Sequence, residues 1–308
     1  MKLIKSSTDI VNISDPFRKI EFVGRTCYKS NSEMTDETAR KFYKTLVGRH
    51  HCAMLEHATF VFEVSEALYN ELYGYKYLNY SVEEFKDGRQ RFLISGNLRA
   101  LNETQEEALL VCLYKLDADL VYTKHLIRPM EELLRCARED ISLVDVDSLT
   151  DIQEHAYMKH KYHTFIFICD RGVSHEIVRH RPSSYAQEST RYCNYSKDKF
   201  GREITCIEPA DYENWDNQSK YYFSQSLHYS EDCYFRMLRY GRTPQEARAV
   251  LPNALKTEVI MTANCEEFNH FFNLRSIGTT GAPHPDMKRV ADEAFALYKA
   301  NTKSDFVE

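Results

Sequence analysis

The sequence predicts an α+β fold in which a mostly antiparallel sheet is flanked by long helices. Residues Thr59–Val64 and 163–168 are rich in aromatic and β-branched side chains, which indicates strands. Helical patterns, among them the long amphipathic stretch 217–240, do not alternate regularly with these strands, as a doubly wound parallel sheet would require. No linker composition divides the chain, so residues 1–308 are predicted to form a single domain.

The composition is that of an ordinary soluble globular protein, with 43% hydrophobic and 28% charged residues. The net charge of −6 argues against a general nucleic-acid binder, whose basic face would show in the balance. Nine cysteines without a CxxC pair argue against a disulfide framework or a structural zinc site, and favour a reduced, cytoplasmic setting. No apolar stretch resembles a secretion signal or approaches the ~20 residues of a membrane span, so we expect no membrane association.

The first part of the chain predicts a strand and two helices. A short apolar alternation indicates a strand within residues 2–13, and apolar positions at helical spacing indicate a helix over 16–27. A second helix is predicted to begin at Thr35 and to run to about Gly48. The Thr35 hydroxyl and the acids that follow it would satisfy free N–H groups and the helix dipole.

Residues 65–161 are predicted to be an inserted helical tract that packs on the main domain, because no linker composition marks its edges. Within it, Asn97 and Arg99 precede a helix-like stretch. We expect Asn97 to cap a helix and Arg99 to form a surface ion pair. A second interpretation, in which both side chains reach a functional site, stays open.

The C-terminal part is predicted to be largely helical. A short strand at 204–207 precedes the long helix 217–240, which Gly241 terminates. Thr243 and the proline after it signal the start of another helix. A helix is predicted over 261–276 from its apolar face, and a closing helix over 286–299.

The most informative stretch is residues 179–191, which read RHRPSSYAQESTR. Arginine offers a planar set of donors that suits phosphate, and hydroxyls and backbone N–H groups can complete such a site. Arg179, Arg181 and Arg191 would repel one another unless an anion lay among them. The alternative is a solvated surface loop, which is the ordinary place for arginines and serines.

The stretch fits the signature RHRxxSxxxxSxR at every fixed position, namely Arg179, His180, Arg181, Ser184, Ser189 and Arg191. In this it resembles the flavin-dependent thymidylate synthases. Three further segments resemble the family in the right order. They contain His51, the Ala-Arg pair that ends at Arg248, and the stretch from Asn264 to Arg275.

Three histidines and an acid near the first of these segments suggest a metal, but their spacing does not match a His-x-x-x-His helix face, so no metal is expected. The segment resembles the GHxSxxEHxxFTF stretch of the family instead. It departs from that pattern at Ala53, where the family has a hydroxyl-bearing residue. The resemblance implies that His51 and the chain at Ala53 contact a flavin.

The resemblance also implies a role for each remaining site residue. FAD would be held by His51, Ala53, Arg179, His180, Arg181, Gln187, Asn264 and His270. The nucleotide dUMP would be held by Glu176, Arg179, Gln187, Glu188, Ser189, Thr190, Arg191, Arg248 and Arg275. Arg248 would reach the phosphate from a neighbouring subunit. Arg275 would be the catalytic residue, because a fixed cation beside the uracil favours ionisation at N3.

The implied reaction is the methylation of dUMP to dTMP. Methylenetetrahydrofolate would give the one-carbon unit, NADPH the reducing equivalents, and FAD would relay hydride. The family implies a homotetramer with sites at subunit junctions. The residues contain no recognisable nucleophile and base pair, which suits chemistry carried by a cofactor.

Two alternatives stay open from the sequence. One is a flavin enzyme of the same family that makes a different C5 substituent on a pyrimidine nucleotide. The other is a non-enzymatic nucleotide- or RNA-binding protein that uses the arginine cluster, against which the negative net charge argues.

Overall fold

The computed structural model describes residues 1–30, 33–122, 126–135 and 138–306. The helices are α1 (Pro16–Tyr28), α2 (Asp36–Gly48), α3 (Glu66–Leu72), α4 (Leu98–Thr104), α5 (Glu107–Leu116), α6 (Met130–Arg135), α7 (Glu154–His160), α8 (Arg171–Ile177), α9 (Asn217–Arg239), α10 (Pro244–Ala247), α11 (Cys265–Phe272) and α12 (Pro285–Asn301). The strands are β1 (Lys2–Ile4), β2 (Ser7–Ile10), β3 (Thr59–Val64), β4 (Leu78–Glu84), β5 (Gln90–Asn97), β6 (Ile141–Leu143), β7 (Tyr162–Asp170), β8 (Ser184–Gln187), β9 (Thr205–Ile207) and β10 (Lys256–Asn264).

The strands form two antiparallel sheets of four strands, in the orders β2-β7-β10-β8 and β4-β5-β3-β6, and β1 pairs in parallel with β9. The predicted α+β class with mostly antiparallel strands is therefore confirmed. Strand β10 is central to the first sheet. It pairs along its whole length with β7 and, on its other edge, with β8, where Val259 lies opposite Gln187.

Two sequence interpretations in this sheet were wrong. Residues 261–264 belong to strand β10, whereas a helix was predicted from residue 261. The helix begins at Cys265 because the Asn264 side chain caps it, accepting a hydrogen bond from the backbone N–H of Glu267 at 3.0 Å. The arginine-rich stretch was interpreted as a loop, but its middle is the edge strand β8.

The tract 65–161 holds strands as well as the predicted helices. Strands β4, β5 and β6 lie within it and form a sheet with β3, so its purely helical character was wrong. That the tract is an insertion stays a prediction. The two local expectations are confirmed: Asn97 accepts from the backbone N–H of Ala100 at 2.9 Å, and Arg99 pairs with Glu56 and Glu103.

Local capping signals were reliable guides to helix starts. Thr35 caps α2 in a reciprocal arrangement with Thr38, and Thr243 caps α10 in the same way with Glu246. The long helix α9 agrees with its amphipathic pattern. The single strand predicted within residues 2–13 is divided into β1 and β2, which pair with different sheets.

Two large apolar clusters hold these layers together. One packs α1 and α2 against the β3 sheet and the tract, and the other packs β7 and β10 against α11 and α12. Phe165 and Phe268, both fully buried, meet edge to face in the second cluster. Each fully buried phenylalanine contributes roughly 1.5–3 kcal/mol, which fixes β7 and β10 beneath the C-terminal helices. None of the described helices has the length and apolar character to cross a membrane.

Candidate active site

Helix α8 positions the first acidic side chain of the candidate site. It begins after Asp170, whose Oδ1 accepts a hydrogen bond from the backbone N–H of Val173 at 2.7 Å. This acceptor satisfies a free N–H group of the first turn. Glu176 lies in the last turn of α8 and is half-buried. The chain turns after the helix, and His180, four residues after Glu176, is buried.

The edge strand β8 sends consecutive side chains to opposite faces of the sheet. Gln187 donates from Nε2 to the hydroxyls of Ser174 at 2.9 Å and Thr257 at 3.2 Å. Glu188, the next residue, is buried on the other face, where it accepts a hydrogen bond from Lys256 Nζ at 2.9 Å. Gln187 and Glu188 were both assigned to dUMP from the sequence, but they lie on opposite faces of the sheet.

Arg275 reaches the end of α8 from a distant part of the chain. It lies in a π-helical turn, Asn273–Ile277, that extends α11. Its Nη1 donates to Glu176 Oε2 at 2.6 Å, and its Nε donates to His180 Nε2 at 2.9 Å. Such turns are frequent at functional sites because they re-aim a side chain within a helix. The guanidinium is thus held at two points.

His180 is buried and neutral at physiological pH. Burial, with smaller contributions from Arg275 and the nearby His270, lowers its pKa to about 4. Since Nε2 accepts from Arg275, the ring hydrogen lies on Nδ1. The ring packs edge-on against Phe271 with centroids 4.9 Å apart. His180 therefore orients Arg275 in this structure, while its assigned contact with flavin stays a prediction.

Four arginines of the candidate site are exposed. These are Arg179, Arg181, Arg191 and Arg248. Arg179 and Arg181 line an open cavity of about 700 Å³. Within the described parts of the chain, none of the four forms an ion pair with a carboxylate. Their charges are therefore available to an anion. That an anion binds among them stays a prediction.

The end of the arginine-rich stretch is tied to the rest of the chain. The backbone N–H of Ser189 donates to the carbonyl of Cys27 at 3.0 Å, and the Ser189 hydroxyl accepts from the backbone N–H of Arg191 at 3.3 Å. Arg248 donates to the Thr190 hydroxyl at 3.3 Å. The resemblance implied that Arg248 acts on a neighbouring subunit; within one chain it meets Thr190.

The histidine-rich segment forms a 3-10 helix, Cys52–His57. His51 and Ala53, both assigned to the flavin, are exposed at its start. His57 is fully buried at its end, where Nδ1 lies 2.8 Å from the Thr262 hydroxyl. Burial lowers the pKa of His57 to about 3, so it is neutral. His51 and His57 diverge because the short helix turns one outward and the other into the core.

Asn264 and His270 lie at opposite ends of helix α11. Asn264 is buried, and its Nδ2 donates to the carbonyl of Lys159 at 3.0 Å in addition to its capping bond. It also borders a cavity of about 620 Å³ that Arg181 lines. His270 is exposed, with its ring centroid 6.0 Å from that of His180. Only His270 is thus close to the Arg275 cluster.

The sequence profile of the thymidylate synthase complementing protein family matches residues 9–109 and 113–302, which is nearly the whole chain. The chain belongs to the thymidylate synthase complementing protein family. The match includes the arginine-rich stretch and Arg275, and it also covers most of the tract 65–161.

Curated relatives of this family member are named flavin-dependent thymidylate synthase. The protein of Geobacter sulfurreducens is 34% identical over 143 residues, which are 45% of this chain and 60% of the relative. The protein of Pyrococcus furiosus is 33% identical over 126 residues, which are 38% of this chain and 48% of the relative. The chain therefore aligns with about half to three fifths of these relatives' length.

A solved structure with a similar chain path is the UMP/dUMP methylase PolB from Streptomyces cacaoi bound with 5-Br dUMP. It covers 97% of this chain and 93% of its own, at 12% identity and a TM-score of 0.43.

Sequence reasoning missed several polar residues of this family member's site. Ser174 and Thr257 hold Gln187, and Lys256 neutralises Glu188. Lys256 and Thr257 begin the strand β10, whose pattern of β-branched residues was a usable signal. No sequence pattern indicated Ser174, because its hydrogen bond with Gln187 depends on the packing of α8 beside β10.

Proposed function

We propose that this protein methylates dUMP to dTMP, with FAD as cofactor and methylenetetrahydrofolate and NADPH as co-substrates. The observation that carries the proposal is the meeting of Arg275 with Glu176 and His180, in a chain whose signature arginines are exposed and have no described carboxylate partner. A fixed cation suits the pyrimidine base, and free arginines suit a phosphate. Family membership and the names of the relatives support the same reaction.

The nucleotide would bind along the end of the arginine-rich stretch. Arg191 and Arg248 would hold its phosphate, with the hydroxyls of Ser189 and Thr190 as further donors. Arg248 is already within hydrogen-bond distance of Thr190, which supports a common target for the two. Arg179, Gln187 and Glu188 are proposed to contact dUMP as well. For Glu188 this requires an indirect role, because its carboxylate faces Lys256 on the other side of the sheet.

Arg275 would lie at the uracil ring. Its guanidinium would stabilise the anion that forms when N3 loses its proton, which makes C5 nucleophilic without attack by an enzyme thiol. Glu176 and His180 hold the guanidinium in one orientation, so little reorganisation is needed when charge develops. Before dUMP binds, the Glu176 carboxylate partly neutralises the positive charge of Arg275.

The side chains present fit a flavin dinucleotide. Its pyrophosphate needs cations, and Arg179 and Arg181 share one open cavity without a described ion-pair partner. Asn264 borders the adjoining cavity beside Arg181, and we propose His51, Ala53, His180, Gln187 and His270 as the remaining contacts. When bound, the flavin would supply hydride transfer from NADPH to the one-carbon unit.

We further propose a cytoplasmic homotetramer with sites shared between subunits, without nucleic-acid or membrane partners. Exposed tyrosines along helix α9 support self-association, since tyrosine is enriched at protein interfaces; they are Tyr221, Tyr222 and Tyr229. Nine scattered cysteines support a reducing compartment.

The decisive experiment uses the purified protein. We expect flavin absorbance in the protein or after addition of FAD, and NADPH oxidation that depends on both dUMP and methylenetetrahydrofolate. The product mass should equal that of dTMP. A protein that binds no FAD rejects the proposal, and a product of a different mass selects another C5 modification.

A further inference from the structure

A second cavity, of about 620 Å³, lies between the tract 65–161 and the arginine-rich stretch. One wall is formed by residues 181–184, and the other by tract side chains that include Tyr77, Asn79 and Asn97. Nothing in the resemblance assigns a role to the tract. A cavity of this size is comparable to small-molecule and cofactor sites.

Strand register explains why the tract wall is polar. In the β3–β5 ladder Thr59 lies opposite Asn97, and in the β5–β4 ladder Leu78 lies opposite Gly96. Because side chains alternate along strands, Thr59, Asn97 and Asn79 share one face across three neighbouring strands. All three line the cavity.

The two amides of this wall offer one unused donor group and one unused acceptor. Asn97 uses Oδ1 to cap α4, and its Nδ2 has no acceptor among the described residues. Asn79 uses Nδ2 to donate to the Tyr162 hydroxyl, and its Oδ1 has no donor among the described residues. A donor beside an acceptor complements a lactam, in which a carbonyl and an N–H are adjacent.

The charges of the tract wall do not suit a phosphate. Arg99 is its cation, and it is held by Glu56 and Glu103, each at 2.8 Å. One arginine with two carboxylates leaves no spare positive charge on this wall. An uncharged polar ring is therefore a better occupant here than a phosphate, which has free arginines nearby.

Tyr77 lines the cavity and has an unusual backbone conformation. Its φ angle is 68°, in the left-handed region, and its side chain is 67% exposed. For a bulky L-residue this region costs about 1–2 kcal/mol. Strained backbone conformations are concentrated at active sites and ligand-binding sites. An exposed aromatic ring beside a polar cavity can stack on a planar ligand.

We propose that the wall formed by Thr59, Asn79 and Asn97, together with Tyr77, binds a fused heteroaromatic ring that carries a lactam. Flavins and pterins both have this chemistry. The inference rests on the proposed function, because that function requires one ligand of each kind. It assigns the tract a direct part in holding a cofactor or co-substrate ring.

The test measures the affinities of FAD and of folic acid for the full-length protein, the latter with FAD present. Tyr77→Gly removes the ring and relieves the positive φ, and Asn97→Asp keeps the capping oxygen but removes the donor, so both variants should fold. The matched controls are Tyr73→Gly and Asn70→Asp. Tyr73 is also 67% exposed, and neither residue lines the cavity.

We expect the Kd of one of the two ligands to rise about tenfold in each cavity variant, as loss of one good contact predicts, and to stay unchanged in the controls. A loss confined to FAD identifies the flavin ring, and a loss confined to folic acid identifies the pterin ring. Unchanged affinities for both ligands, or no binding of either by the wild type, overturn the proposal.

These measurements distinguish failure of the cavity proposal from failure of the proposed function. A wild-type protein that binds these rings through the cavity but does not convert dUMP rejects only the proposed function. A wild-type protein that makes dTMP, with variants of unchanged affinity, rejects only the inference about the cavity.

Discussion

Arg275 and Glu176 lie 99 residues apart in the chain, yet their side chains meet with Nη1 and Oε2 2.6 Å apart. The pair is partly exposed, with 23% and 32% of the two side chains accessible. A ligand can therefore reach the guanidinium without unfolding of either element.

Arg275→Ala is expected to lower the turnover of dUMP on the order of 100-fold, the usual effect of removing one donor that stabilises a developing anion. Flavin retention should hardly change. Arg275→Lys keeps the charge but loses the two-point attachment to Glu176 and His180, so its turnover should be intermediate. Steady-state kinetics and flavin absorbance measure both quantities. Loss of flavin with normal turnover would reject the assigned role.

Arg191→Ala is expected to weaken dUMP binding roughly 10- to 100-fold, because a charged donor to phosphate is removed. The exposed side chain has no described carboxylate partner, so the fold should be unaffected. Calorimetric titration with dUMP gives the affinity. Arg202→Ala is the control, since Arg202 is an exposed arginine already paired with Asp198. Equal affinities for the two variants would contradict the phosphate contact.

Lys256→Met is expected to destabilise the protein by about 3 kcal/mol, because it leaves the buried Glu188 carboxylate without its cation, whereas Glu258 keeps its ion pair with Lys29. Lys256 lies between Glu188 and Glu258, and the three side chains are 15%, 3% and 12% exposed. Urea unfolding at neutral pH measures the loss. Adding Glu188→Gln should recover part of it, since one unpaired charge is then removed. A single variant as stable as the wild type would show that the cluster contributes nothing.

His180 should make stability sensitive to mild acid. Its pKa is lowered from 6.5 to about 4 in the folded protein, mainly by burial. The unfolded chain therefore takes up a proton at pH 5 that the folded protein does not, so acid favours unfolding. This contribution is fully present above pH 6.5 and is lost as the pH falls through 4.

His180→Gln tests this linkage. Between pH 7 and pH 5 the variant should lose about 2 kcal/mol less unfolding free energy than the wild type, as the shifted pKa requires. Urea unfolding at the two pH values gives the difference. The pKa of His57 is lowered to about 3, mainly by burial, so His57 adds the same pH dependence of unfolding free energy to both proteins. Identical slopes would mean that His180 is not held neutral.

Much of the local structure follows from the sequence because it depends on neighbours in the chain. Thr35 and Thr243 cap their helices in reciprocal pairs with the side chain three residues later, and Asn97 caps α4 by accepting from the backbone N–H of Ala100. The strand β3 and the helix α9 follow from their periodicity. The strands β4, β5 and β6 were missed because each is stabilised mainly by pairing with a partner strand.

The sequence alone determined that a row of arginines, hydroxyls and amides is present at residues 179–191, and its fixed spacing indicated the family. Only the tertiary structure decided which of these side chains share a face. Strand alternation at β8 separates Gln187 from Glu188, and the π-helical turn brings Arg275 to Glu176 and His180. Such relations depend on the pairing of β8 and β10 and on the packing of α11, which join residues distant in the chain and leave no local pattern.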